Sequence, residues 1–231
     1  MSSDEIAVSV EELSKRYGDV DALAPLDLEV PAGESVVLVG HNGSGKSTLL
    51  GMLAGVLEPT EGTAAIHGCT VDSIAARRHR SWLPDTPVLY DDLSVREHLE
   101  YVSRLHGDCD EAVNDDLVER LGLVDRYDDL PSQFSRGLRQ KTAIAVAFCR
   151  PFSVLLVDEP FVGLDAAGRS AMLELLAESV DNGASVVVAT HDPAVIERFE
   201  RGVVLENGVL VHDGPAGSVH EYLTVDDRRS G

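Results

Sequence analysis

The chain has 231 residues, 44% of them hydrophobic, enough for a globular protein with a sizeable core. Acidic residues number 40 against 19 basic ones, a formal net charge of −21, and only Lys15, Lys46 and Lys141 are lysines. Such a surface repels phosphate backbones and argues against a nucleic-acid partner.

In chain order, Ile6 to Val10 alternates as an edge strand does, and Leu26 to Val30 reads as another strand. Pro31-Ala32-Gly33 makes a turn. Ser35 to Val39 is a short apolar strand that runs into a glycine-rich loop. Helical spacing holds from Lys46 to Val56, and Glu58-Pro59-Thr60-Glu61-Gly62 ends it. From about Asp92 to Arg150 the pattern is helical. Ser94 with Glu97 three residues on predicts a capping box, a second helix runs from about Asp110 to Leu121, and a third from Ser135 to Phe148. Strand and helix then alternate: Val154 to Val157, Ala166 to Val180, Ser185 to Ala189, and a short helix from Pro193 to Phe199. Val203 to Leu205 and Val209 to His212 flank Asn207-Gly208, a hairpin turn signal. This order predicts an α/β fold with a mainly parallel sheet and an inserted helical segment.

The segment Gly40-His41-Asn42-Gly43-Ser44-Gly45-Lys46-Ser47-Thr48 fits G-x-x-x-x-G-K-S/T between a strand and a helix. Glycines let the backbone turn tightly and aim its N–H groups at phosphate oxygens. A helix N-terminus adds partial positive charge. Lys46 supplies a full charge to the β- and γ-phosphates of a nucleotide, and the Ser47 hydroxyl suits Mg²⁺. GTPases, kinases and helicases share this loop. A second motif narrows the choice: Val154-Leu155-Leu156-Val157-Asp158-Glu159-Pro160 is an apolar strand that ends in two carboxylates. Asp158 suits the ion or its water, and Glu159 suits the water that attacks the γ-phosphate.

The order of motifs over nearly the whole chain resembles the ATP-binding subunits of ABC transporters. Phe134-Ser135-Arg136-Gly137-Leu138-Arg139-Gln140-Lys141 is similar to the family's signature loop. The resemblance implies that Ser135 and Gly137 contact the γ-phosphate of ATP held by an opposite subunit. Arg136 replaces a glycine there, which adds charge and bulk and either strengthens contact or loosens packing. The resemblance further assigns Tyr17 to stacking on adenine, Asp165 of Gly163-Leu164-Asp165 to the partner-facing loop, and His191 of Thr190-His191-Asp192 to the γ-phosphate. At Trp82-Leu83-Pro84-Asp85 the family usually carries glutamine at position 85. Asp85 keeps acceptor oxygens for Mg²⁺-bound water, but its charge opposes close approach to the γ-phosphate. The stretch from Pro87 to Glu100 is similar to the region of exporter-type cassettes that meets the permease.

The resemblance therefore implies a P-loop nucleoside-triphosphatase core with an N-terminal antiparallel β subdomain and an inserted helical subdomain. One cassette would span residues 1–231, with the core at about 1–84 and 151–231 and the helices at about 85–150. ATP and Mg²⁺ are the expected cofactors. A second cassette, identical or paralogous, and separate transmembrane permease subunits are the expected partners. The stretch from Leu83 to Tyr90 and the Ser135-Arg136-Gly137 variant look most like exporters of the ABC-2 kind. A soluble, non-transport ABC ATPase and a binding-only regulatory subunit are the competing readings.

Cys69, Cys109 and Cys149 lie far apart without metal-ligand spacing, as free thiols in a reducing cytoplasm do. Met1 to Glu5 lacks a signal-peptide pattern, and no apolar run approaches the roughly 20 residues of a membrane span. A cytoplasmic subunit held at the inner face of the membrane by its permease is the expectation. The acidity itself points to a halophile, because at roughly 1 M salt the Debye length falls to about 3 Å and self-repulsion is screened. On this reading the urea midpoint rises between dilute buffer and molar KCl; equal midpoints in the two would contradict it.

Overall fold

The computed structural model describes residues 5–107 and 110–223, so the expectations placed on Met1 to Asp4 and on Cys109 lie outside it. The chain opens with a long hairpin of β1 (Ile6–Tyr17) and β2 (Val20–Pro31). There follow β3 (Ser35–Val39), α1 (Lys46–Leu53), β4 (Glu61–Ile66), β5 (Cys69–Thr70), α2 (Ile74–His79) and β6 (Arg80–Leu83). Three helices come next: α3 (Val95–Leu105), α4 (Glu111–Arg120) and α5 (Arg136–Phe148). The last part holds β7 (Val154–Asp158), α6 (Ala166–Asp181), β8 (Ser185–Ala189), α7 (Pro193–Ile196), β9 (Arg201–Glu206), β10 (Val209–Pro215) and α8 (His220–Leu223).

Two sheets result. One is antiparallel with strand order β2-β1-β4-β5; the other has the order β10-β9-β3-β8-β7-β6. In the second sheet β9, β3, β8, β7 and β6 run parallel, and β10 pairs antiparallel with β9. The expected fold class is the observed one, with an antiparallel N-terminal sheet beside a parallel-rich sheet.

The strand sequences explain why this second sheet sits inside. β7 reads Val-Leu-Leu-Val-Asp and is buried along its whole length. Its side chains alternate between two cores. Val154 and Leu156 pack with Leu49, Leu50 and Leu53 of α1, while Leu155 and Val157 pack with residues of α5 and α6. β8 divides in the same way: Val187 and Ala189 join the first core, Val186 and Val188 the second. A strand covered on both faces needs an apolar residue at every position, which is why these runs do not alternate in polarity. Helix α1 is buried on nearly every side, consistent with its place between the two sheets.

The helical stretch starts as expected. Ser94 and Glu97 form a reciprocal cap at α3, with the Ser94 backbone N–H donating to Glu97 Oε2 at 2.7 Å. Asp110 caps α4 and Ser135 caps α5. Cys69 is a free thiol, and the buried Cys149 donates from Sγ to the Val146 carbonyl at 3.2 Å. Among the described residues no helix is long and apolar enough to cross a membrane.

Leu156 is fully buried at the centre of the sheet. Leu156→Ala is expected to cost about 2–5 kcal/mol of stability, read as a lower urea midpoint at unchanged slope. A loss under about 1 kcal/mol would mean the site collapses around the vacancy.

Candidate functional site

Parallel pairing brings the carboxyl ends of β3, β6, β7 and β8 to one edge of the sheet. The loops leaving that edge carry the P-loop residues, Asp85, Glu159 and His191 respectively, and Asp158 ends β7 itself. Open α/β sheets bind ligands at such an edge. Here it bounds a cleft of about 450 Å³ lined by Ala22, Asn42, Gly43, Gly45, Lys46, Ser47, Thr48, Asp85, Glu159, Val162 and His191.

The loop from Gly40 to Gly45 is shaped by its glycines. A Cβ on Gly40 would fall 2.3 Å from the Leu205 carbonyl oxygen, and Gly45 (φ 106°) has the Ala22 carbonyl oxygen 2.9 Å from the same position. Gly43 (φ 83°) instead has open space around that position. The loop is braced from behind: Gly208 N–H of the β9–β10 turn donates to the Ser44 carbonyl (3.0 Å), and Gly208 C=O accepts from Ala24 N–H (2.8 Å). Lys46 is buried, and its ammonium turns back to donate to the carbonyls of Gly40 (2.7 Å) and His41 (3.2 Å). Burial pushes its pKa down, against the pull of Glu159 and Asp158.

Asp158 is buried, and its Oδ1 has no hydrogen-bond partner. Burial raises its pKa; the Ser47 hydroxyl opposes the shift, while Asp85 and Glu159 reinforce it. A desolvated carboxylate with a free oxygen beside a serine hydroxyl suits a hard divalent cation such as Mg²⁺, so the residues present fit that ion. Glu159 adopts φ 44°, a left-handed conformation that non-glycine residues rarely take. Pro160 follows and disfavours the right-handed helical region for the residue before it. Glu159 N–H is held by the Ala189 carbonyl (2.9 Å), and the carboxylate meets His191 Nδ1 at 2.9 Å. The Glu159 side chain is 15% exposed and that of His191 65%, so the pair spans the cleft from floor to rim.

The remaining candidates lie elsewhere. Ser135 caps α5, and a Cβ on Gly137 would sit 2.6 Å from the Gly163 carbonyl oxygen, so α5 rests directly on the loop after β7. Asp165 caps α6 and pairs with Lys141 of α5 at 2.9 Å. Gln140 Nε2 donates to the Pro160 carbonyl at 3.2 Å. Ser135, Gly137, Asp165 and the exposed Tyr17 do not line the chain's own cleft. Ala22 and Val162 do line it and were not foreseen, since small apolar residues carry no chemical signal in a sequence. Asp85 and Ser47 also face a second groove, of about 890 Å³, which Asp158 lines in place of the first and which is walled by Leu57, Trp82, Leu83, Val88, Val102 and Val146.

A phosphate-cradling loop and a buried lysine facing Glu159 across one cleft, with Asp158 at the end of β7 beside Ser47, define a P-loop nucleoside triphosphatase. Residues 23–162, more than half of the chain, match the family model described as ABC transporter, and the chain belongs to that family as an ATP-binding, ATP-hydrolysing cassette. It is 31% identical to the ABC-type transporter ATP-binding protein EcsA of Bacillus subtilis, over 95% of this chain and 92% of that one. It is 32% identical to the SkfA peptide export ATP-binding protein SkfE of the same organism, over 89% and 88%. Identity to the macrolide export ATP-binding/permease protein MacB 1 of Aeromonas hydrophila is 35% over 87% of the chain, which spans only 33% of that relative. A solved ATP-binding subunit of an ABC transporter superposes with a TM-score of 0.85 at 32% identity, covering 95% of this chain and 94% of that one. A dimeric ATP-binding cassette in a post-hydrolysis state with ADP and Pi superposes with a TM-score of 0.83 at 25% identity, over 90% and 98%.

The raised pKa of Asp158 means that the ion-free chain loses stability as pH rises from the ordinary carboxylate range through the shifted value. Asp158→Asn should therefore raise the melting temperature of the ion-free chain at pH 7 while abolishing ATP turnover. A destabilised variant would show that the carboxylate is internally satisfied.

Proposed function

We propose that two such cassettes close head to tail on two ATP molecules and drive a separate transmembrane permease of the export kind. The observation that carries this reading is the meeting of Lys46, Ser47, Glu159 and His191 in one cleft, with the unpartnered Asp158 oxygen beside Ser47.

Residues Gly40 to Gly45 present backbone N–H groups to the phosphates, with Ser47 and Thr48 at the start of α1. Lys46 leaves the loop carbonyls for the β- and γ-phosphate oxygens, exchanging neutral acceptors for charged ones. Ser47, Asp158 and Asp85 would hold a magnesium ion, whose charge would offset that of the phosphates. Glu159 polarises the attacking water, and its strained backbone fixes the direction of the carboxylate. His191, already hydrogen-bonded to Glu159, reports the γ-phosphate. Tyr17 stacks on adenine at the edge of the site. Ser135, Gly137 and Asp165 act on the nucleotide of the opposite cassette, identical or paralogous, which agrees with their absence from this chain's own cleft.

The groove beside Trp82 and Val88 receives the permease, and Asp85 belongs to both cavities. Val88 is 87% exposed and Tyr90 55%, an apolar rim suited to burial by a partner. The relatives whose names specify peptide export and macrolide export support the export direction. Helices α3 to α5, within about 85–150, move as the unit that carries Ser135 towards the partner, with the rest of the single cassette as its core. The chain thus works at the cytoplasmic face of a membrane through its permease, in a salt-rich cell.

Glu159→Gln tests the reading. In molar KCl with Mg²⁺ the wild-type chain turns over ATP. The variant is expected to lose about 10²–10⁴-fold of that rate and to elute as an ATP-dependent dimer in gel filtration. Retention of turnover would remove Glu159 from the chemistry, and absence of turnover in the wild-type chain with its permease would favour a binding-only subunit.

A further inference from the structure

In a chain with two acids for every base, most basic side chains around the α5 start are already engaged. Lys141 pairs with Asp165 at 2.9 Å, Arg139 donates to the Pro131 carbonyl at 2.8 Å, and Arg169 pairs with Asp192. Arg136 is different. It is the first residue of α5, it is exposed, and it has no ion-pair partner among the described residues. Its stem is nonetheless placed: Cγ and Cδ lie 3.5 and 3.6 Å from where a Gly163 Cβ would be. The backbone contact between Gly137 and Gly163 fixes the ground beneath it. Arg136 does not line the chain's own nucleotide cleft.

We infer that Arg136 supplies its guanidinium in trans to the γ-phosphate of ATP bound by the opposite cassette. The inference rests on the head-to-tail sandwich proposed above. Where two chains of net charge −21 close on each other around two polyphosphates, electrostatic repulsion opposes closure. A guanidinium already lying along the contact loop offsets part of that repulsion. It also offers two parallel N–H donors to one phosphate, which a glycine at the same position cannot do. Arg136 moves no proton. Water oxygen bonds to the γ-phosphorus, the bond from phosphorus to the β,γ-bridging oxygen breaks with its electron pair leaving on ADP, and Glu159 takes the water's proton. Charge on the γ-phosphoryl oxygens, met by Arg136, is present in the bound ATP and throughout the transfer, so the residue serves both closure and turnover.

The test uses the full chain carrying Glu159→Gln, which holds ATP without hydrolysis, with Arg136→Ala or Arg136→Lys added. Two quantities are read in molar KCl: ATP-driven dimerisation by sedimentation equilibrium, and binding of the fluorescent analogue mant-ATP to chain dilute enough to be monomeric. Arg136→Ala is expected to weaken dimerisation roughly 10- to 100-fold, the scale of one charge-assisted hydrogen bond, with mant-ATP binding by the monomer unchanged. Arg136→Lys recovers part of the loss. In the otherwise wild-type chain Arg136→Ala lowers kcat with little change in KM. Undiminished dimerisation of Arg136→Ala overturns the inference and leaves the sandwich standing. A parallel fall in monomer binding overturns it too, because that would mean the residue acts on its own cleft. If the Glu159→Gln parent itself stays monomeric with ATP, the sandwich fails and the inference falls with it.

Discussion

Parallel strand pairing is the constraint on which the site depends. Loops after β3, β6, β7 and β8 come from positions 40, 85, 159 and 191, yet they share one edge because those strands run in one direction. Each strand is held in register by neighbours on both sides or, for the edge strand β6, by β7. The apolar residues of β7 and β8 reach into both cores at once, so the position of Asp158 and Glu159 is set by packing far from any ligand. The chemistry is carried by loops, and its precision comes from the sheet.

That arrangement stores several local costs. Lys46 is buried against carbonyls, Asp158 is buried with an orphan oxygen, and Glu159 sits in a left-handed backbone conformation. Each is locally unfavourable. On the function proposed, the phosphates would take the ammonium and a magnesium ion would take the carboxylate oxygen, so that part of the binding energy would be the release of desolvation already present in the folded chain.

How much could be read beforehand follows from how local each signal is. The P-loop, the carboxylate pair, the Ser94 cap and the Asn207-Gly208 turn are contiguous patterns, and they stand in the structure where their sequences imply. Strand β1 was legible only as far as Val10, and it is not the edge strand its alternation suggests: it lies between β2 and β4 and pairs with both. Beyond Val10 the pairing shifts register and Glu12 takes φ 47°, a bulge that breaks the two-residue alternation. Strand β2 extends back through Pro25 to Val20, where proline argues against a strand; it is tolerated because β2 lies at the sheet edge. Helix α1 ends at Leu53, short of the expected Val56, because Gly55 takes φ 61°. Strands β4, β5 and β6 and helix α2 were not foreseen: none is longer than six residues, and their burial comes from neighbours distant in sequence. Nor does any local pattern reveal that Asp85 would face both the nucleotide cleft and the larger groove.

The most direct test is a crystal structure of the Glu159→Gln chain with ATP and Mg²⁺. The account predicts two chains enclosing two nucleotides, with residues 40–48 around the phosphates and the ion between Ser47 and Asp158. Ser135 and Gly137 of the opposite chain would meet each γ-phosphate. ATP bound to a lone chain, or seated away from the carboxyl edge of the parallel sheet, would contradict it.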